Sequence, residues 1–458
     1  MRTLGEAVLP RSGPAAQGVD ASGIDRFVTA VAALSDAELH SLMVLRHGHV
    51  VAEHWWPPYE PGTPRLAYSV SKSFTSTALG FAVDEGRVDL DATVLSYFPE
   101  LDAEVTDERS RAIRVRHVAA MASGHDGDAF ERARTAGDGD MLRGFLLTPP
   151  EHEPGTVFAY NQPCTHALSA IIQRISGGSL TAYLRPRLFE PLGITRTGWT
   201  RDPQGREIGF SGLHVPTEAI AKLGQLYLRN GVWADRQLLS PQWVEEATRA
   251  HITTGVPETD WDQGYGFQFW RSRHGYRGDG AYGQFMLVLP EADAVVAITS
   301  QSLDAPGVLE AVWTHLLPAL TADAPPDRVW TPGTVPLPGP AADGLQPDRT
   351  PLTLRPGTGN QLPGLHTVQV VTGPDEIRLR EGDSELAAAL GAPGAWTTTG
   401  PLATASAWAG GQLHVDVIFV ETPHRLHLRL DPAAGTFEAR WETSPLGDPP
   451  LSELRVPR

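Results

Sequence analysis

Ten prolines lie between Pro325 and Pro363, and this density constrains the fold more than any other feature of the 458-residue chain. Proline fixes φ and lacks a backbone N–H, so neither a helix nor a central strand continues through such a stretch. We therefore predict a Pro-rich linker or extended wrap over residues 325–363. It divides the chain into residues 1–324 and 364–458, in agreement with the two or three domains that this length allows.

The two parts have different hydrophobic patterns. Residues 1–324 mix helical spacing with short apolar runs, which favours an α+β domain over a regular βαβ repeat. Residues 364–458 alternate apolar and polar side chains and predict a C-terminal antiparallel β domain. The elements predicted in the first part are a hairpin at 41–53, helices at 71–84, 165–175 and 218–229, and strands at 284–289 and 294–299.

Composition excludes several classes of function. The chain has 37 Lys and Arg against 54 Asp and Glu, a net charge of −17, so no positive surface for nucleic acid is expected. The single cysteine, Cys164, cannot close an intramolecular disulfide or build a zinc or iron–sulfur cluster. The sequence has no apolar leader and no run of eighteen apolar residues, so we expect a cytoplasmic protein that does not interact with membranes.

Residues 66–75 (LAYSVSKSFT) contain the most informative local pattern. Ser69 and Lys72 are three positions apart at the start of a predicted helix, so their side chains lie on one face, one turn apart. A helix N-terminus favours negative charge that develops on the serine. A partly desolvated lysine loses its proton readily and can activate a serine hydroxyl as a nucleophile. Ser71 and Ser73 directly flank the lysine and point in other directions.

Four segments in this order resemble the serine β-lactamase and penicillin-binding-protein superfamily, in particular its class C-like serine hydrolases. These hydrolases include esterases, D-aminopeptidases and 6-aminohexanoate-dimer hydrolases. The resemblance spans roughly residues 20–320 and implies a β-lactamase/DD-peptidase-like domain, with an antiparallel sheet flanked by helices and an all-helical region. The segments are 66–91 around Ser69, 116–125 (RHVAAMASGH), 154–161 (PGTVFAYN) and 277–285 (RGDGAYGQF).

Carried over residue by residue, the resemblance implies a catalytic set. Ser69 is the acylated nucleophile, Lys72 its proton acceptor, and Tyr160 the phenolic acid or base at the leaving group. The backbone N–H groups of Ser69 and Ala281 form the oxyanion hole, in which one donor is worth about 10²- to 10³-fold in rate. A phenol with an ordinary pKa near about 10 acts as a base only if a positive charge such as Lys72 stabilises its phenolate.

The second and third of these segments carry candidate substrate-binding residues. Many relatives have an asparagine two positions after the tyrosine, whereas this chain has Asn161 followed by Gln162, so either Gln162 or Asn161 supplies the amide. His125 follows a serine–glycine pair in a loop that lines the site of relatives. It either contacts the substrate or relays a proton, or else it fixes the loop by a hydrogen bond to Asp126 or Asp128.

The last segment carries further candidate substrate-binding residues, Gly278, Asp279 and Gly280, and departs from the superfamily's pattern. The usual Lys-Thr-Gly or His-x-Gly is replaced by Gly278-Asp279-Gly280, which removes the cation that holds the carboxylate of penicillins. Arg277 is a candidate replacement, although adjacent strand positions point to opposite faces. We therefore expect a small-molecule ester or amide that lacks this carboxylate as the substrate.

Other functions remain as alternatives. An acyltransferase would form the same acyl-enzyme and release it to an alcohol or amine, and a non-catalytic acylating sensor or binding protein would not turn over. His47 and His49 share a strand face near Glu53 and His54, which is metal-ligand chemistry. Because Gly48 between them indicates a hairpin tip with solvated histidines, we expect no metal, and we also expect no cofactor.

Overall fold

The computed structural model describes residues 8–255, 257–321, 328–333, 337–343, 351–373, 375–391 and 394–457. The helices are α1 (Ala21–Ala32), α2 (Ser71–Asp84), α3 (Glu108–Ala112), α4 (Val115–Ala119), α5 (Phe130–Ala136), α6 (Met141–Leu147), α7 (Gln162–Ser176), α8 (Leu180–Leu184), α9 (Thr217–Leu228), α10 (Pro241–Thr248), α11 (Ala305–Ala311) and α12 (Leu317–Leu320). The strands up to residue 320 are β1 (Ala37–Arg46), β2 (His49–Trp55), β3 (Arg65–Leu66), β4 (Gly198–Trp199), β5 (Leu213–Val215), β6 (Val232–Trp233), β7 (Arg236–Gln237), β8 (Trp270–Ser272), β9 (Gly275–Gly280), β10 (Gln284–Leu289) and β11 (Ala294–Ser302). The later strands are β12 (Leu352–Pro356), β13 (Leu365–Val371), β14 (Glu376–Glu381), β15 (Ser384–Ala389), β16 (Thr397–Thr399), β17 (Leu402–Ala409), β18 (Gln412–Phe419), β19 (Arg425–Asp431) and β20 (Thr436–Trp441).

Six of the described strands form the main sheet, in the order β2-β1-β11-β10-β9-β8, with antiparallel neighbours throughout. Its central strands are apolar on both faces because helices cover both faces. In β10, Phe285 and Leu287 pack towards α1 and α11, whereas Met286 and Val288 pack towards α2 and α9. The predicted hairpin and the predicted strands in this region are confirmed, and so is the α+β class.

Helix α2, which follows the short 3₁₀ turn Tyr68–Val70, is buried around its whole circumference. It lies between β9 of the main sheet and helices α7 and α8 of the helical region. Its buried hydroxyls need acceptors, and they find them in surrounding loops: Thr75 donates to the Gly209 carbonyl at 2.9 Å and Ser76 to the Phe267 carbonyl at 2.7 Å. These bonds fix two loops against the start of the helix. Within the described ranges, no helix has both the length and the apolar character that crossing a membrane requires.

The nine later strands form a second sheet, in the order β15-β14-β13-β12-β20-β19-β18-β17-β16, here called the C-terminal sheet. Its two end strands approach each other, so the sheet is nearly closed around an apolar interior. Neighbours are antiparallel except β12 and β20, which run parallel through Arg355 and Pro356. The described strands within residues 364–458 pair antiparallel, as the alternation predicted. The whole sheet is mixed because β12, which precedes them, joins β20 in parallel.

Strand β12 lies inside the stretch predicted to be a linker. Proline is tolerated here because Pro351 precedes the strand and Pro356 is its last residue, so neither interrupts it. Other described parts of the stretch run across the first half of the molecule, where the Trp330 indole donates to Asp25 at 2.9 Å and Leu337 is buried. The predicted boundary at residues 324 and 325 lies outside the described residues, and the division into domains stays a prediction.

Candidate active site

The turn and helix that carry Ser69 and Lys72 bring the two side chains together. Ser69 lies in the 3₁₀ turn and is partly exposed, whereas Lys72, in the first turn of α2, is 1% exposed. The Lys72 Nζ lies 3.0 Å from the Ser69 Oγ. The one-turn spacing expected from the sequence is thus realised, with the hydroxyl reachable and the amine enclosed.

The surroundings of Lys72 make its charge costly. Its Nζ donates to the Gln162 side-chain carbonyl at 2.7 Å and to the Phe210 backbone carbonyl at 2.8 Å. Burial lowers the pKa of Lys72 to about 7, and the more distant carboxylates of Asp128 and Asp279 oppose that shift only in part. A large fraction of Lys72 is therefore a free amine at neutral pH.

Tyr160 completes the group with its ring against the amine. The Lys72 Nζ lies 4.7 Å from the ring centroid, and the ring stacks on Trp270 at 5.4 Å with an interplanar angle of 22°. Burial raises the pKa of the Tyr160 phenol well above its ordinary value, and a hydrogen bond with the Ser69 side chain opposes this shift. The phenol consequently keeps its proton at neutral pH.

The end of β9 lies directly against the chain that carries Ser69. A Cβ on Gly280 would lie 2.5 Å from the Ala67 carbonyl oxygen and 3.2 Å from the Ser69 backbone nitrogen, and a Cβ on Gly278 would lie 2.9 Å from the Ser73 Oγ. Only glycine allows this approach. Ala281 follows Gly280 immediately, so its backbone lies at the same edge of the site.

Arg277 does not replace the cation that the last segment, 277–285, lacks. That side chain is fully buried, and its guanidinium donates to Asp260 at 2.6 Å and to Asp279 at 3.1 Å. The Trp261 indole also donates to Asp279 at 2.9 Å. Burial raises the pKa of Asp279, and the neighbouring Arg277 opposes the shift. The replacement suggested from the sequence is wrong, because the charge of Arg277 is already compensated inside the protein.

The two candidate amides at the end of the third segment, Asn161 and Gln162, lie in different surroundings. Asn161 is fully buried; its side-chain oxygen accepts from the Ala129 N–H at 2.9 Å and its amide nitrogen donates to the Ser123 Oγ at 3.3 Å. Gln162, the first residue of α7, is partly exposed and contacts Lys72. Between the two alternatives, the geometry favours Gln162 as the amide at the site.

His125 is enclosed in the helical region and is 0% exposed. Its Nδ1 lies 2.9 Å from the Ser123 Oγ and its Nε2 3.0 Å from the Thr148 carbonyl oxygen. Burial lowers its pKa, so the ring is mainly neutral. Because both ring nitrogens have protein partners, the geometry favours a loop-fixing role, with Ser123 and Thr148 in place of the expected carboxylates.

Sequence reasoning did not identify Phe210 or Trp270. Phe210 contributes a backbone carbonyl, which any residue type could offer, so its side chain gave no signal. Gly209 and Gly212 nearby, with φ of 73° and 79°, are the sequence feature that indicates a tight turn here. Trp270 contributes an aromatic face for Tyr160. Among the residues that the structure describes, no three His, Cys, Asp or Glu side chains are grouped as metal ligands.

The fold and this arrangement point to one class of protein, and comparison with known sequences gives the same result. A profile described as "Beta-lactamase" matches residues 26–320, which is more than half of the chain. The chain belongs to this beta-lactamase family, whose members include penicillin-binding proteins, amidases and esterases.

The individual relatives are moderately similar to this chain in sequence. The chain is similar to the 6-aminohexanoate-dimer hydrolase of Paenarthrobacter ureafaciens, with 28% identity over 282 residues that cover 56% of this chain and 71% of that protein. It is similar to penicillin-binding protein 4 of Amycolatopsis lactamdurans, with 26% identity over 338 residues, 64% of this chain and 84% of that protein. The solved structure of EstCE1, a hydrolase with promiscuous acyltransferase activity, shares the fold at a TM-score of 0.53 and 19% identity, over 64% of this chain and 98% of that one.

Proposed function

We propose that this chain is a serine hydrolase that cleaves an ester or amide bond of a small molecule through an acyl-enzyme on Ser69. The observation that carries the proposal is the enclosed contact between Lys72 and Ser69, with the pKa of the amine lowered to about 7. Such an amine can accept the proton of a serine hydroxyl at neutral pH, which is the step a serine nucleophile needs.

The hydrogen-bond partners of Lys72 support its role as the base. The oxygens of Gln162 and Phe210 can only accept, so the free amine uses its two N–H groups on them. Its remaining tetrahedral position is then the lone pair, and this position faces the Ser69 Oγ. The hydroxyl therefore donates to the nitrogen, which is the arrangement for proton removal.

In the proposed reaction the Ser69 Oγ forms a bond to the substrate carbonyl carbon while its proton moves to the Lys72 Nζ. The carbonyl oxygen becomes negative and receives hydrogen bonds from the N–H groups of Ser69 and Ala281. Tyr160, which keeps its proton at neutral pH, donates it to the leaving oxygen or nitrogen as the scissile bond breaks. The ammonium of Lys72 then returns the proton to Tyr160.

The second half of the proposed reaction, deacylation, regenerates the free enzyme. Water attacks the acyl carbon and gives a proton to Lys72, which is again the free amine, the bond to the Ser69 Oγ breaks, and the serine oxygen takes that proton back. The acid product leaves. An acyltransferase would differ only in that an alcohol or amine replaces this water.

The charge of the site bears on the substrate class. Asp128 and Asp279 lie close enough to influence Lys72, and the described residues of the last segment, 277–285, offer no unpaired cation. A substrate carboxylate would meet negative potential there, so neutral or amine-bearing esters and amides are preferred. The name of the relative from Paenarthrobacter ureafaciens, a hydrolase of an aminohexanoate dimer, agrees with an amide substrate.

Intact-mass spectrometry with a fluorophosphonate, activated esters and amino acid amides tests the proposal. We expect one covalent adduct on the native chain, turnover of at least one ester, and loss of both in Ser69→Ala. Ser76→Ala, a control in the same helix, should keep them. Turnover that persists in Ser69→Ala would contradict the proposal, and an acyl adduct that never turns over would identify a sensor instead. Product that forms only with added alcohol or amine would identify an acyltransferase.

A further inference from the structure

The turn between β18 and β19 of the C-terminal sheet contacts the chain that leads to Ser69. The Leu66 N–H donates to the Glu421 carbonyl at 2.8 Å, and the Arg65 guanidinium donates to the Thr422 carbonyl at 3.1 Å. The approach to the nucleophile is therefore held by a segment that lies outside the region matched to the family.

His424, in the same turn, holds the residue before Ser69. Its Nδ1 lies 2.9 Å from the Thr443 carbonyl oxygen, which can only accept, so Nδ1 carries the hydrogen. Burial lowers the pKa of His424 to about 4, so the ring is neutral and its Nε2 is an acceptor. The Tyr68 hydroxyl lies 2.6 Å from this nitrogen and donates to it. The hydrogen bonds thus run from Tyr68 through His424 to Thr443.

Tyr282, the residue after Ala281, reaches the same place from the other side of the site. Its hydroxyl donates to the Ser444 carbonyl. Its ring lies 5.3 Å from that of Tyr68 and 5.2 Å from that of His424, both near edge-to-face. We call these three side chains, Tyr68, Tyr282 and His424, the three-ring cluster.

Both tyrosines have backbone conformations that require support. The φ of Tyr68 is 45° and that of Tyr282 is 63°, in the left-handed region that bulky side chains rarely adopt. Such conformations persist only where the surrounding structure fixes them. The Tyr68 and Tyr282 carbonyls are held by Ser71 and Ser300, in the first part of the chain, whereas the two hydroxyls are held by His424 and Ser444. The two tyrosines adjoin Ser69 and Ala281, whose N–H groups form the proposed oxyanion hole.

We infer that His424 of the C-terminal sheet is a positioning residue for the active site, acting through Tyr68 and Tyr282. It does not touch the substrate. The conformation of Tyr68 sets the peptide that carries the Ser69 N–H, and Tyr282 fixes the chain just beyond Ala281. The C-terminal sheet thereby keeps the two donors aimed at one point. This inference rests on the proposed acyl-enzyme function.

Steady-state kinetics on an activated ester that the native chain turns over tests the inference. His424→Ala should lower kcat about 10- to 100-fold, below the full loss of one oxyanion donor, with KM changed less than about twofold. Tyr68→Phe, which removes only the hydroxyl, should lower kcat in the same direction and serves if His424→Ala does not fold. His424→Gln, whose side-chain oxygen can accept from Tyr68, should recover part of the rate.

A matched histidine separates positioning from general stability. His427 lies in β19 and is held by Asp416 and Glu442, away from the three-ring cluster. His427→Gln should keep kcat within about twofold. Unchanged kcat in both His424→Ala and Tyr68→Phe, or an equal loss in His427→Gln, would overturn the inference. Absence of Ser69-dependent turnover in the native chain would instead refute the proposed function.

Discussion

Two buried cations of the active-site region, Lys72 and Arg277, differ in what surrounds them. Lys72 is 1% exposed and Arg277 is 0% exposed. Lys72 contacts a hydroxyl and two neutral carbonyl oxygens, and no hydrogen-bonded carboxylate is found for it among the described residues. Arg277 contacts two carboxylates, those of Asp260 and Asp279. Equal burial therefore comes with opposite electrostatic surroundings.

The difference explains why one of the two side chains can lose its proton and the other cannot. A buried charge without a counter-charge is costly, and an amine removes the cost by losing its proton. A guanidinium stays protonated, so it requires the carboxylates that Arg277 has. The protein thus has beside Ser69 an amine that can lose its proton, the switchable base of the proposed function, and in β9 a fixed structural cation. Four predictions test this contrast.

Replacing the switchable base by a fixed cation should have the largest effect. Lys72→Arg keeps a positive charge that cannot be lost, so kcat/KM on an activated ester should fall by about 10²- to 10⁴-fold. Lys222→Arg is the control, because Lys222 is a buried lysine of α9 that pairs with Glu218 at 3.4 Å. A Lys72→Arg variant that retains more than a tenth of the native rate would show that Lys72 is not the base.

Removing the fixed cation should act on stability. Arg277→Met removes the buried cation that Asp260 and Asp279 share. The half-exposed Arg273 and the Trp261 indole stay beside these carboxylates but do not replace a buried charge, so we expect a loss of about 3 to 5 kcal/mol in the free energy of unfolding in urea. Arg273→Met is the control: Arg273 contacts the same Asp260 but is 44% exposed, so its loss should cost below about 1 kcal/mol. Similar losses in the two variants would contradict the contrast.

The pH profile should report the switchable base directly. The reaction needs the free amine of Lys72, whose pKa is about 7. Below that value kcat/KM for a neutral ester should fall about tenfold per pH unit, and above it the rate should level off. Rates measured between pH 5 and 8 check this. A profile without an acid limb in that range would exclude Lys72 as the titrating group.

A smaller shift should follow from removing a distant carboxylate. The charge of Asp128 raises the pKa of Lys72, so Asp128→Asn should move the acid limb of the profile to lower pH. The asparagine oxygen can still accept from the Gln162 N–H, as Asp128 does at 3.1 Å. Asp126→Asn, in the same loop and paired with His152, should leave the midpoint in place. A shift to higher pH in Asp128→Asn would reverse the assigned sign.

Much of the fold was predictable because long elements carry their pattern in consecutive residues. Helix α2 and strands β10 and β11 were expected within a few residues of their observed bounds. Strand β12 was not expected. The many prolines around it indicated a linker, although within these five residues proline occurs only at the last position, where a strand tolerates it. Its pairing with β20 depends on the tertiary structure, which local pattern does not report.

The candidate site was predictable where its function depends on the type of side chain. The spacing of Ser69 and Lys72 suggested this pair and the family resemblance added Tyr160; the structure brings the three together, while their roles stay predictions. It did not suggest Phe210, because a carbonyl belongs to every residue. Nor did it suggest His424, whose contact with Tyr68 joins positions 356 residues apart.

The parallel pair β12–β20 is the shortest strand pairing described in the C-terminal sheet. Only Arg355 and Pro356 of β12 pair with β20, whereas the antiparallel ladders on either side, from β13 to β15 and from β17 to β20, are longer. The pair joins two antiparallel meanders that each have their own continuous ladders. The turn that carries His424 belongs to the meander of β17 to β20, so the contact between His424 and Tyr68 depends on that meander and not on the parallel junction.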